Sequence, residues 1–225
     1  TFHGIPEEKI FICGAPPFDK WFNKYPNYDN ENNKIKFFER AGLDHTKSFV
    51  LYLGSSQNIS SDESWLINKL YIALSESKDP LIKECQILVR PHPANISYTE
   101  NIDSNVRIYP ENGALPEDEV SFECFYQSLK YSICTIAINT SGMLDGIIFG
   151  KPCISFLDVR YEDTQLKTMH YNDLLKGNAI ELAHNTNDVI DLIRKLYNGN
   201  DSKNKDRMSF VSKFIRPRGT GIPSG

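Results

Sequence analysis

The chain has 225 residues, 40% of them apolar and 24% charged, with a formal net charge of -4 and an isoelectric point near 5.8. This length suffices for one full hydrophobic core, and the acidic balance excludes a general nucleic-acid binder, which presents a basic face. No run reaches the roughly 18 apolar residues of a membrane span, and no signal-peptide pattern is present. The five cysteines (Cys13, Cys85, Cys124, Cys134, Cys153) are an odd set without a CxxC pair, which gives a zinc or redox motif no support. Cys13, Cys134 and Cys153 lie in apolar strand-like runs, where a thiol acts as a small hydrophobe, so reduced core thiols in a cytoplasmic protein are expected.

In chain order, the first strand is predicted at Lys9–Gly14. Asp19–Asn33, rich in Asn, Tyr and Pro, reads as a short helix followed by a loop. A strand follows at Phe49–Gly54. Ser60 and Glu63 then read as a capping box ahead of a helix whose stripe is Ile67, Leu70, Tyr71 and Leu74. Strands at Gln86–Arg90 and Val106–Tyr109 precede a helix carrying Phe122, Phe125, Tyr126 and Leu129. A strand at Cys134–Ile138 leads into the helical stretch Met143–Phe149. Strands at Cys153–Leu157 and Ala179–Leu182 come next, then a helix striped by Val189, Leu192, Ile193 and Leu196. Asp201–Phe214 reads as a final amphipathic helix, and Ile215–Gly225 as an extended or disordered tail dense in Pro and Gly.

Most of these strands are apolar at consecutive positions, the pattern of strands buried on both faces of a parallel sheet. Their alternation with helices predicts an α/β, Rossmann-like, doubly wound parallel sheet. The expected organisation is an entry segment with the first strand at 1–18, a nucleotide-binding domain at 19–214, and the tail at 215–225.

Ligands of such sheets bind outside the carboxyl ends of the strands, so the residues just after each strand carry the functional signal. Gly54-Ser55-Ser56 offers a glycine that lets a ligand near the backbone and two hydroxyls for phosphate or sugar oxygens; the alternative is a plain strand-to-loop turn. Neither the dinucleotide fingerprint nor the P-loop occurs. Arg90-Pro91-His92-Pro93 fixes an imidazole between two prolines at a strand end, where it can donate to a phosphate oxygen. Asn139-Thr140-Ser141-Gly142 opens a helix, either as an anion site built on free N–H groups or as a simple cap. Asp145 in that helix is placed opposite the apolar face, to accept from ribose hydroxyls or to sit solvated. Asp158, Arg160, Glu162, Thr168 and His170 are weaker candidates, with a surface role as the alternative. His3, His45 and His184 are assigned nothing. No HExxH, EF-hand loop or carboxylate cluster argues for a metal.

Taken together, these segments resemble the C-terminal domain of GT-B-fold glycosyltransferases, above all bacterial capsule and teichoic-acid enzymes carrying an RPHP motif. HGIPEEKIFICGAPPFD (His3–Asp19) is similar to the entry into their second domain, and ILVRPHP (Ile87–Pro93) to their histidine-proline motif. NTSGMLDGIIFGKPCIS (Asn139–Ser155) resembles their nucleotide-binding strand–helix–strand, and FIRPRG (Phe214–Gly219) a segment near the end of such chains. The resemblance implies that His92 is catalytic by contact with the donor phosphate and that Thr140 and Ser141 help bind it, while Gly54, Ser55, Ser56, Arg90 and Gly142 join the expected nucleotide-binding set by their places at the strand ends. Asp145 stands where many members carry a ribose-binding glutamate. It also implies a donor activated by CMP or CDP, with UDP as the next choice, and no further cofactor. The acceptor saccharide and the general base would belong to an N-terminal half absent from this sequence, any membrane association would come from that half or from partners, and the fragment alone would catalyse little. A nucleotide-sugar 2-epimerase resembles the same fold but needs acids near the sugar, for which Asp145, Asp158 and Glu162 are the candidates. A non-catalytic binding or scaffold domain is the third reading.

Overall fold

The computed structural model describes residues 4–10, 15–23, 25, 28, 30–217 and 219. Six strands form one parallel sheet: β1 (Phe49–Leu53), β2 (Gln86–Arg90), β3 (Arg107–Ile108), β4 (Thr135–Ala137), β5 (Cys153–Phe156) and β6 (Glu181–Ala183). Their order is β3-β2-β1-β4-β5-β6. All five residues of β1 are buried, as an unbroken FVLYL run requires when both faces of the sheet are covered.

The helices are α1 (Glu31–Arg40), α2 (Ser64–Ser75), α3 (Pro80–Lys83), α4 (Glu119–Tyr131), α5 (Gly142–Ile148), α6 (Glu162–Gln165), α7 (Met169–Lys176), α8 (Thr186–Tyr197) and α9 (Asn204–Phe210). One core layer joins Phe37 and Phe38 of α1, Phe125 of α4 and Tyr171 of α7 to Leu51 and Leu88 of the sheet. The opposite layer packs Leu66 and Leu70 of α2 and Val189 and Ile193 of α8 on Val50 and Ile136. The sheet is doubly wound, as the alternation of strands and helices requires. No helix among the described residues is long and apolar enough to cross a membrane.

Several predicted boundaries move. Glu7–Lys9 is a short 3-10 helix, and most of the strand predicted at Lys9–Gly14, Cys13 included, lies outside the described residues. Where a loop was expected in the Asn-rich stretch, Asn30 caps α1 by accepting from the Asn33 N–H, and α1 then buries Phe37 and Phe38. The last strand shifts from Ala179–Leu182 to Glu181–Ala183, because the Ala179 N–H is taken by the Leu174 carbonyl closing α7. The capping box is not formed. Asp62, not Ser60, accepts from the Ser64 N–H, and Glu63 turns inward to full burial beneath β1. At the other end, α9 runs into a π-helical turn, Val211–Ile215, and Ile215 is buried. The Arg216 guanidinium stacks 4.2 Å from the centre of the Phe22 ring and pairs with Asp19 at 3.3 Å, so the tail's first residues are packed rather than extended. Cys85, Cys124, Cys134 and Cys153 are buried free thiols.

Candidate functional site

The strand order reverses between β1 and β4, and a crevice opens at such a switch point where successive connections leave in opposite directions. The loops after β1, β2 and β4 meet there around a cleft of about 470 Å³, counted to its open mouth. Gly54, Arg90, His92, Thr140, Ser141, Gly142 and Asp145 all line it. Ser56 lines an adjoining lobe that shares His92, Thr140 and Ser141.

Two glycines hold the histidine loop in place. A Cβ on Gly54 would sit 2.4 Å from the Tyr98 hydroxyl and 3.2 Å from the backbone of Pro91 and His92. The space predicted for a ligand at Gly54 is thus also the space its own neighbours occupy. Gly113, at φ +63°, presses on the same loop from the other side, where a Cβ would meet the Pro91 carbonyl at 2.5 Å. The Asn95 amide ties this loop to the carbonyls of Ser55 (3.0 Å) and Ser60 (2.8 Å).

His92 is half-buried, and its Nδ1 accepts from the Ala94 N–H at 3.1 Å. That bond assigns the ring proton to Nε2, which makes the free edge of the imidazole a donor. Burial lowers its pKa, so the ring is neutral at pH 7. Arg90 is 5% exposed. It donates to the Ala114 carbonyl at 2.8 Å and lies 4.6 Å from the Phe125 ring centre, fixing the wall of residues 114–116 as well as facing the cleft.

Ser55 is a correction to the predicted ligand set. It is fully buried, its N–H donates to Glu63 at 3.1 Å, and its hydroxyl accepts from the Asn139 N–H. Its role is to couple the β1 and β4 loops. Thr140 and Ser141 line the cleft; Ser141 makes no side-chain cap, and neither hydroxyl has a hydrogen-bond partner among the described residues. Helix α5 has seven residues, so these hydroxyls and the neighbouring imidazole, rather than a long helix dipole, define the chemistry.

Asp145 is neither solvated nor free. The Trp21 indole N–H donates to its Oδ1 at 2.6 Å, from a 3-10 helix (Pro16–Phe22) 124 residues away. Burial raises its pKa to about 6, while the Trp21 bond, Lys20 and Arg90 pull it down. Trp21→Phe keeps most of the ring packing against Phe122 and Phe149 but removes the donor. Its expected effect is an Asp145 pKa above that of the parent, read by NMR titration of the carboxyl carbon; an unchanged value would mean that this bond does not hold the charge.

The weaker candidates divide. His170 joins the adjoining lobe, and its Nε2 lies 2.9 Å from Asn139 Oδ1. Thr168 accepts from the Asn139 amide and does not line the cleft. Asp158 and Arg160 satisfy each other through two contacts of 2.7 Å, with the guanidinium 3.7 Å from the Trp65 ring centre. Asp158 and Glu162 line a separate depression with His184. His45 is exposed and His3 lies outside the described residues. Among the described residues no three His, Cys, Asp or Glu side chains converge as metal ligands would. Sequence reasoning missed Trp21, Glu63, Phe125 and the 114–116 wall. Asn139 was placed only as part of the NTSG turn, not as the buried side chain that holds His170.

This sheet order, with helices on both faces and loops converging at the reversal, defines a Rossmann-like α/β domain. Solved structures that share the fold include a teichoic acid polymerase and a nucleotide-sugar epimerase. Over 93% of this chain and 48% of theirs, the wall teichoic acid polymerase TagF superposes with a TM-score of 0.59 at 17% identity. The UDP-GlcNAc 2-epimerase of Methanocaldococcus jannaschii, solved with UDP-GlcNAc and UDP, gives 0.56 at 17% identity, over 95% of this chain and 57% of that one. The chain therefore spans about half the length of each. No protein-family model matches the sequence, and no curated protein does.

Proposed function

We propose that the chain is the donor-nucleotide-binding half of a glycosyltransferase or glycerophosphotransferase of surface-polysaccharide synthesis, taking a CMP- or CDP-activated donor. The observation that carries this is the meeting, in one cleft at the sheet's switch point, of the His92 Nε2–H donor with the Thr140 and Ser141 hydroxyls. Those groups suit a phosphate, and the apolar wall of Leu53, Leu115 and Phe125 suits a base. In the full enzyme His92 would donate to the leaving phosphate as its charge develops, with Thr140 and Ser141 beside it. The acceptor site and the general base belong to the other half of a GT-B pair. The choice of cytidine rests on the resemblance of the histidine-proline motif, with UDP as the next candidate.

Calorimetric titration of CMP, CDP, UDP and GDP tests this. A cytidine nucleotide is expected to bind the parent chain, and His92→Ala to weaken it about tenfold or more, the scale of one hydrogen bond to a charged group. No nucleotide binding by the folded chain, or an unaltered affinity in the variant, would overturn the assignment. A 2-epimerase superposes comparably. However, Asp158 and Glu162 lie in a different depression, which leaves Asp145, already bonded to Trp21, as the carboxylate of the cleft among the described residues. Isomerisation of a donor by the full-length protein without acceptor would select the epimerase.

A further inference from the structure

Beyond His92 the cleft continues into the lobe that contains Ser56, Ile59, Asn139, Leu144 and His170. The two imidazoles at its borders have opposite hydrogen-bonding polarity. Nδ1 of His92 is occupied by the Ala94 N–H, so its remaining nitrogen is a donor. For His170 the argument runs through Asn139. The Asn139 Nδ2 lies 2.5 Å from the Thr164 carbonyl, which can only accept, so the amide nitrogen must face it. That leaves Oδ1 against His170 Nε2 at 2.9 Å, so Nε2 must carry the proton and Nδ1 holds a lone pair. Burial lowers the pKa of both rings, against the opposing pull of the Asp173 carboxylate on His170, which keeps both tautomers neutral near pH 7. Asn139 is itself fully buried, so the orientation of His170 is set from beneath.

A ligand crossing this cleft must therefore present an acceptor oxygen to His92 and a donor to His170. The donor that suits an exposed imidazole lone pair in a lobe of hydroxyl and amide groups is a hydroxyl. The other lobe, walled by Phe125, Leu53, Leu115 and prolines 91, 93 and 116, offers an apolar surface. His92, Thr140 and Ser141 form the ridge shared by both.

We infer that the cleft is a two-part donor site, in which the Arg90–Asp145 lobe takes the nucleoside, the shared ridge takes the phosphates, and His170 accepts a hydrogen bond from a hydroxyl of the group to be transferred. This rests on the donor-binding reading above and adds to it a specificity residue for the transferred sugar or polyol. No bond is made or broken at His170.

The test compares bare and extended nucleotides by calorimetry: CDP against CDP-glycerol, and CMP against a CMP-linked sugar, with His170→Ala and, as a control, Met169→Ala. Met169 is the exposed neighbour of His170 and lines neither lobe. For at least one pair, His170→Ala is expected to weaken the extended ligand roughly three- to tenfold more than the bare one, the range of one hydrogen bond. Met169→Ala should leave that ratio at the parent value, and His92→Ala should weaken both members of the pair together. Equal losses in both members with His170→Ala would place His170 at the nucleotide itself, against a ribose hydroxyl, and overturn the inference. So would no loss in either pair. Failure of the parent protein to bind even bare CDP or CMP would instead remove the donor reading, and the inference with it.

Discussion

Replacing Glu63 by glutamine is expected to stabilise the protein at neutral and alkaline pH and to leave it unchanged near pH 4. Glu63 is fully buried, accepting from the Tyr52 hydroxyl at 2.8 Å and from the Ser55 N–H at 3.1 Å. Burial raises its pKa from 4.5 to about 7, against the pull of those hydrogen bonds. Below pH 4.5 both folded and unfolded forms carry the proton, and the favourable contribution is complete. Between 4.5 and 7 the unfolded chain releases the proton while the folded one keeps it, so stability falls with rising pH. Above 7 the loss levels off at about 3 kcal/mol, an upper figure from roughly 1.4 kcal/mol for each tenfold change. Glutamine keeps an acceptor for Ser55 and supplies a donor to the Tyr52 oxygen without a charge to desolvate. Urea unfolding at pH 4, 6 and 8 should show a gain of about 1–3 kcal/mol for Glu63→Gln at pH 8 and none at pH 4. The slope of the variant will not vanish entirely, because Asp145, raised from 3.8 to about 6, titrates in the same sense. Parallel profiles for parent and variant would show that Glu63 is ionised at little cost.

The second large effect is expected at Gly113. Gly113→Ala combines two penalties: a positive φ unfavourable to any L side chain, about 1–2 kcal/mol, and a Cβ 2.5–2.9 Å from the backbone of Pro91 and Pro93. Gly150 separates them, since its φ of +85° carries a comparable strain while a Cβ there meets nothing within 4 Å. Gly150→Ala should therefore lose only the conformational part, and Gly113→Ala should lose more by about 1–3 kcal/mol, the usual range for forcing extra atoms into packed structure. The excess has a functional signature: the loop that must yield carries His92, so the nucleotide affinity of Gly113→Ala should fall with its stability, while that of Gly150→Ala should not. Equal destabilisation in chemical denaturation, with equal affinity, would show that the 91–93 loop gives way freely.

The parallel sheet was legible because its signal is local. Phe49–Leu53 and Cys153–Phe156 are unbroken apolar runs, and the turn chemistry after them is visible in a few residues. Helix α1 was not, since ENNKIKFFER is mostly polar and its two phenylalanines are adjacent rather than spaced by a turn. What stayed hidden in the cleft was pairwise and distant. Nothing near Asp145 announces Trp21, and nothing near His170 announces that Asn139 will set its tautomer. Glu63 misled because an acid three residues after a serine ordinarily caps a helix, and only the position of Tyr52 and Ser55 above it draws it inward. Ser55 and Ser56 are adjacent and chemically alike, yet in the loop after β1 one is buried against Glu63 and Asn139 and the other lines the lobe.

Trp21 reaches Asp145 from a segment that contributes no strand to the sheet and is held by side chains, among them Arg216 against Phe22 and Asp19. The seating of that segment and the occupancy of the cleft are therefore thermodynamically linked. A ligand that takes Asp145 away from the indole must loosen the segment, whereas one content with the remaining carboxylate oxygen leaves that bond in place. By reciprocity, each alters the other's free energy by the same amount.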